Sequence, residues 1–303
     1  MNNNKKTGFI FPAFAMRFTG TLSEYQDEAD ELVSLASRLV PIDSKRFEEI
    51  MSGVIEDELQ AHYFCYINSC VVSTVLNKHN IYPDYVAGYS MGLFAALFHA
   101  QAVSFEDGLL LMHNTYNVAL DSIDEKKYGM GVIVGLTYED VDNLIKSNCD
   151  NVDIIDVSNE QVINVTGLYD EVVTCLEIAS KQAIQTKILP ITLPYHSRFM
   201  NKATDKVMSF LADVEINDPV FKIVSCVKQN ILSTAGDIKD ELLCNVSQRI
   251  NWYKTMQKML DLDVNLFFEC GMSKSLTQLA KFIDGDFKIY NVKNFSKIPE
   301  YKS

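Results

Sequence analysis

Apolar and polar positions along the chain fall into alternating short runs and longer periodic stretches. Thr7–Phe11 is a brief apolar run closed by Pro12, which predicts a first strand. Leu22–Leu39 has the spacing of a helix, and Glu48–Asn77 holds further helical segments. Tyr85–Gly88 is a four-residue apolar strand stopped by glycine. Leu93–Ala102 and Phe105–Leu120 then return to helical spacing. Strands that alternate with helices in this way predict a parallel sheet covered on both faces.

The pattern changes near residue 126. Gly129–Leu136 is a strand, and Thr137 with Asp140 three residues later predicts a capped helix to about Ser147. Val152–Val157 and Val162–Thr166 are two strands, Asp170–Gln182 a helix, and Thr186–Leu193 a strand. The order βαββαβ is that of a ferredoxin-like unit. We therefore expect residues 126–190 to form an insert, with 1–125 and 191–303 making up the main domain. That domain resumes with a helix at Lys202–Leu211, a strand at Phe221–Ser225, a helix at Trp252–Leu260 and a strand at Leu266–Glu269.

Composition narrows the class. The chain has 303 residues, of which 48% are hydrophobic, enough for a large core. The formal charge is −13, the wrong sign for nonspecific nucleic-acid binding. No uncharged apolar run reaches the ~20 residues that span a bilayer, and the short apolar stretch after Lys5 and Lys6 is interrupted by Arg17, a poor signal peptide. Seven cysteines without a CxxC, and five scattered histidines, argue against a disulfide framework or a metal centre. The expectation is a reduced, cytoplasmic protein that binds neither membrane nor nucleic acid and uses no metal, nucleotide or flavin.

The chemistry begins at Gly88-Tyr89-Ser90-Met91-Gly92. This is GxSxG directly after a strand and directly before a helix, the context of a nucleophile elbow. Such a turn strains the serine, and the flanking glycines relieve the crowding. Ser90 would stand at a helix N-terminus, where N–H groups favour developing negative charge, and the Met91 N–H is placed to be an oxyanion donor. A serine of this kind needs a base. His62, His79, His99 and His113 fall in helices or at their ends, whereas His196 follows a strand in Leu193-Pro194-Tyr195-His196-Ser197-Arg198. Active-site groups of open α/β sheets gather in such loops, so His196 is expected to take the Ser90 proton.

With these residues in place the chain resembles the malonyl-CoA:acyl-carrier-protein transacylases and the acyltransferase domains of polyketide synthases, over nearly its whole length. GYSMG stands for the family's GHSxG, and His196-Ser197-Arg198 for a His-Ser-Pro-like motif. Ser104–Leu109 matches wording that follows the elbow, Asn245 through Trp252 matches an Asn-Pro-x-x-Trp stretch, and Glu269–Leu276 matches a Gly-Pro-Gly-x-x-Leu stretch. The resemblance implies an α/β-hydrolase-like domain with a parallel sheet and an inserted ferredoxin-like subdomain. It implies that the Asn245 backbone carbonyl orients His196, and that a backbone N–H of Phe14 completes the oxyanion hole. It also implies acyl-CoA and an acyl carrier protein as partners.

Three departures bear on substrate. Phe14 replaces the family's glutamine, Tyr89 replaces the elbow histidine, and Thr115 stands 25 residues after Ser90 where malonyl-specific members carry arginine. That arginine pairs with the malonyl carboxylate; without it, an acyl group lacking a carboxylate is expected. Arg198 is read first as a rim residue that meets the carrier protein or CoA phosphates, and alternatively as the replacement carboxylate partner. Carrier docking would then use Lys181, Lys187, Arg198, Lys202 and Lys206, close to His196 in sequence. Three functions remain open at this point: an acyltransferase in fatty-acid or polyketide biosynthesis, a hydrolase that strips acyl groups from carrier proteins with the same dyad, and a non-catalytic carrier-binding module.

Overall fold

A computed structural model describes residues 6–13, 26–42 and 57–291. Ten strands and ten helices can be followed there. The first half runs β1 (Lys6–Phe11), α1 (Gln26–Leu39), α2 (Glu58–Lys78), β2 (Tyr85–Gly88), α3 (Gly92–His99) and α4 (Phe105–Leu120). Next come β3 (Tyr128–Val134), α5 (Tyr138–Asn148), β4 (Val152–Asn159), β5 (Val162–Leu168), α6 (Tyr169–Ala179) and β6 (Gln185–Leu189). The chain then passes through α7 (Asn201–Leu211), β7 (Lys222–Val224), β8 (Ile231–Leu232), α8 (Ala235–Ser247) and α9 (Trp252–Asp261). It finishes with β9 (Val264–Glu269), α10 (Ser275–Ala280) and β10 (Lys288–Asn291).

Two sheets organise these elements. The larger has the order β10-β9-β1-β2-β7-β8 and is parallel except for β8. Its central strands are apolar on both faces because helices cover both: Phe9, Ile10 and Phe11 of β1 are wholly buried. Phe9 and Phe11 face the cluster built on α2 and α3, while Ile10 faces Trp252, Met256 and Met259 of α9. The α2 helix is apolar nearly all round and buries fifteen of its residues, so it forms the spine of that cluster. The smaller sheet has the order β4-β5-β3-β6 and is antiparallel, as the βαββαβ pattern predicts. The predicted Thr137–Asp140 capping box opens α5 as expected.

The differences from the sequence reading lie at ends and in short elements. The strand expected over Thr186–Leu193 ends at Leu189, because Pro190 removes a ladder donor and the chain turns toward His196. The α3 helix stops at His99, before Gln101 at φ 57°. The α8 helix was not expected: two of its buried positions are polar, Glu241 and Asn245, and they break the apolar stripe that would reveal it. Strands β8 and β10 and helix α10 are too short for periodicity to show. Leu22–Tyr25 and Glu48–Glu56, also read as helical, fall outside the described residues.

Candidate active site

Ser90 sits between β2 and α3 with φ 53°, in the left-handed region. Neighbouring backbone leaves no room for side chains on either flank. A Cβ on Gly88 would come within 2.3 Å of the Leu93 nitrogen, and one on Gly92 within 2.2 Å of the Phe11 carbonyl oxygen. The Tyr89 N–H donates to that same Phe11 carbonyl at 2.9 Å, tying the elbow to the end of β1. Gly92→Ala should therefore displace the elbow from β1 and destabilise the protein by about 3 kcal/mol or more, a fall in melting temperature of at least about 6 °C. Calorimetry that finds an unchanged melting point would show that the elbow tolerates a side chain there.

His196 has φ 61° and so shares the left-handed conformation. Strain of this kind concentrates where function fixes a side chain. A backbone hydrogen bond from the His196 N–H to the Val246 carbonyl, 2.8 Å, anchors the loop on α8. The imidazole is buried, and its Nε2 lies 2.7 Å from the Ser90 hydroxyl. Burial holds the imidazole down to a pKa of about 4, so it stands as a neutral base at pH 7; the Asn245 carbonyl opposes this in part. That carbonyl faces Nδ1 without meeting hydrogen-bond geometry, and Nδ1 has no hydrogen-bond partner among the described residues. The Asn245 side chain does a second thing: its Nδ2 donates to the Ser90 carbonyl at 3.4 Å, a long contact. The Met91 N–H, at the start of α3, finds no acceptor among the described residues, as an oxyanion donor requires. Phe14 lies outside the described residues.

Tyr89 is committed elsewhere. Its hydroxyl donates to Asp156 Oδ2 at 2.8 Å. Asp156 belongs to β4 and is buried; it also accepts from Ser158 Oγ, from Asn164 Nδ2 at 3.1 Å and, through Oδ1, from the Trp252 N–H at 3.2 Å. Burial pushes this carboxyl up, and the four donors pull it back. The cluster joins the elbow, the smaller sheet and the start of α9 at one carboxylate.

A cavity of about 160 Å³ opens in front of Ser90 and His196. Met130, Ile155, Leu189, Ile191 and Ile250 give it apolar walls. Its polar groups are those of Asp156 and Asn164 on the smaller sheet and of Glu58, His62 and Tyr195 on the main domain. Glu58 Oε1 lies 3.8 Å from His62 Nε2, and Glu58 Oε2 accepts from the Thr192 N–H and hydroxyl at 3.4 and 3.3 Å. Thr115 is buried on α4 and does not line this cavity. Arg198 does not line it either. Its guanidinium donates to the Asp150 carbonyl and pairs with Asp153 at 3.4 Å, in a neighbouring depression on the other side of His196. As a carboxylate partner Arg198 is misplaced, while its exposed position suits a rim.

The structure thus brings Ser90, His196, Asn245, Met91 and Tyr89 together. Sequence reading missed Glu58, His62, Asp156 and Tyr195 as cavity groups. Asp156 carried a signal, an acid inside the apolar run Val152–Val157. Glu58 and His62 carried none, because a helix N-terminal acid and a helical histidine are ordinary.

A strained serine between a parallel strand and a helix, paired with a buried histidine, defines a class: α/β proteins with the architecture of serine-nucleophile acyl transfer. Within that class the chain is similar to the malonyl-CoA:acyl carrier protein transacylases, as its motifs implied. It is 24% identical over 295 residues to the malonyl CoA-acyl carrier protein transacylase of Bacillus subtilis, covering 93% of this chain and 92% of that one. It is 26% identical over 283 residues to the polyketide biosynthesis malonyl CoA-acyl carrier protein transacylase of the same organism, covering 92% and 97%. No family model matches the chain. Among solved structures, the fold matches an acyl-carrier-protein S-malonyltransferase from Burkholderia pseudomallei with a TM-score of 0.89 at 24% identity, over 98% of this chain and 99% of that one. It matches equally, at 20% identity and over 97% and 98%, a malonyl-transacylase in complex with a type II polyketide synthase acyl-carrier protein.

Proposed function

We propose that the protein moves a short acyl group from CoA, or another thioester, to the phosphopantetheine thiol of an acyl carrier protein in fatty-acid or polyketide biosynthesis. The observation that carries this reading is the 2.7 Å contact between Ser90 Oγ and His196 Nε2 at the mouth of a mostly apolar cavity. Ser90 Oγ attacks the thioester carbonyl and its proton passes to His196 Nε2. The tetrahedral oxyanion is held by the Met91 N–H and, by resemblance, that of Phe14. On collapse the C–S bond breaks and the thiolate leaves with the proton from His196. The carrier thiol then gives its proton to His196 and attacks the ester, and Ser90 leaves and recovers the proton. The reaction needs no cofactor, since each step is proton transfer and acyl exchange.

We further read residues 1–125 and 191–303 as the catalytic domain, 126–190 as its insert and the cytoplasm as its location; no helix among the described residues is long and apolar enough to cross a membrane. Lys181, Lys187, Arg198, Lys202 and Lys206 are all exposed, which suits a docking face for an acidic carrier. The transferred group lacks a carboxylate in this reading. Two acids, Glu58 and Asp156, line the cavity, and no lysine or arginine does among the described residues. A carboxylated acyl group would meet like charge there.

The test is intact-protein mass spectrometry after incubation with malonyl, acetyl and butyryl thioesters together, followed by addition of a phosphopantetheinylated carrier protein. Acetyl and butyryl adducts should exceed malonyl by about 10-fold or more, and the carrier should then gain the acyl mass. A dominant malonyl adduct would refute the substrate assignment. Release of free acid with an unloaded carrier would make the protein a hydrolase.

A further inference from the structure

Ser90 and His196 are 106 positions apart, and each stands in the left-handed region, at φ 53° and 61°. A backbone held there relaxes unless its surroundings fix it. Each loop has an anchor in the main domain, the Phe11 carbonyl for the elbow and the Val246 carbonyl for the histidine loop. Strand β4 of the smaller sheet reaches both loops. Next to Ser90, the Tyr89 hydroxyl donates to Asp156 Oδ2 at 2.8 Å. Two residues after His196, the Arg198 N–H donates to Asp153 Oδ2 at 3.1 Å, and the guanidinium Nε stands 3.4 Å from Asp153 Oδ1.

Residues three apart on a regular strand point to opposite faces. Strand β4 is not regular. Asp153 stands opposite Thr166 of β5 and Asp156 opposite Asn164, so Ile155 is an extra residue, a bulge. Thr166 and Asn164 are two apart and share a face of β5, and the bulge therefore brings both aspartates to that face. The other face of β5, with Ile163 and Val165, is packed in the apolar cluster beneath α5 and α6. The aspartates are thus presented to the main domain, and Ile155 between them lines the acyl cavity. Resting on the acyl-serine reading above, we propose that β4 sets the position of Ser90 against His196, with Asp156 the positioning residue for the nucleophile and Asp153 the positioning residue for the base. Neither aspartate exchanges a proton with the substrate.

Single-turnover acylation by acetyl-pantetheine, followed by intact mass, separates the limiting rate from half-saturation. Asp153→Ala should lower the limiting rate by about 10- to 100-fold and leave half-saturation within about twofold, as misplaced reacting groups predict. Asp153→Asn keeps an oxygen for the Arg198 N–H and should stay within about threefold of the unmodified protein. Tyr89→Phe keeps the ring that packs edge-on to Trp252 and should also lower the limiting rate. Once one support is gone the 2.7 Å contact is already lost, so the double variant should be less impaired than the product of the two singles.

The pH profile adds a readout that general destabilisation would not move. The imidazole is faced by the Ser90 hydroxyl, the Tyr195 ring and the Asn245 carbonyl, none of them charged near neutrality. Its pKa of about 4 comes from burial, opposed by that carbonyl, and the Asp153 and Arg198 charges are not among the causes. Freeing the histidine loop in Asp153→Ala should therefore move the acid limb up from about 4 toward about 6.5 as water reaches the ring, whereas Tyr89→Phe should leave the limb in place. An Asp153→Ala protein with an unchanged rate and limb overturns the role of Asp153, and an unchanged rate in Tyr89→Phe overturns that of Asp156. Losses that multiply in the double variant overturn the shared support. An unmodified protein that gains no acyl mass removes the acyl-serine reading and this proposal with it.

Discussion

Ser90→Ala is expected to form no acyl-enzyme, with turnover lowered by about six orders of magnitude, as when the nucleophile of a serine enzyme is removed. The side chain is a half-exposed hydroxyl whose one side-chain hydrogen bond among the described residues is to His196, so its loss leaves the packing of β2 and α3 intact. The folded protein should keep its circular dichroism spectrum and a melting temperature within a few degrees. Mass spectrometry on the variant after thioester treatment decides the matter. An acyl mass retained on the Ser90→Ala protein and mapped to another residue would place the nucleophile elsewhere.

His196→Ala should slow acylation by about 10²–10⁴-fold, the usual worth of a positioned general base. The pH profile gives a sharper test than the rate alone. Burial holds the imidazole to a pKa of about 4. A base must be unprotonated to act, so kcat/KM for acylation should climb as pH rises through about 4 and stay level from there to neutrality. An ordinary exposed histidine would put that limb near 6.5. The variant should lack the limb altogether. A limb near 6.5 in the unmodified protein would mean that the free enzyme leaves His196 open to water, contrary to its burial here.

The sequence made the framework of this site legible because its chemistry is local. A strand, a strained serine between glycines and a following helix occupy Tyr85–His99 without interruption, so one window contains the argument. His196 was found by its place after a strand, and the smaller sheet by its βαββαβ order. What stayed hidden depends on distance along the chain. Glu58 and Tyr195 are 137 positions apart, and neither residue is unusual until the fold brings both to one cavity. Arg198 was close to His196 in sequence, yet its side chain leaves on the opposite side to meet Asp150 and Asp153. The helix over Ala235–Ser247 was obscured by its own buried polar residues, since Glu241 and Asn245 occupy inward positions that periodicity expects to be apolar.

The bond from Tyr89 to Asp156 limits how this protein can be recombined with its relatives. The hydroxyl belongs to the elbow, and the carboxylate to the second strand of the smaller sheet. A chimera that imports the 128–189 segment of one of the similar transacylases as a cassette would carry whatever residue that donor has in place of Asp156. Tyr89 and the Trp252 N–H would then lose a shared acceptor inside the protein. Such grafts should succeed when the elbow and the cassette travel together and fail when they are exchanged singly, even where the junctions fit.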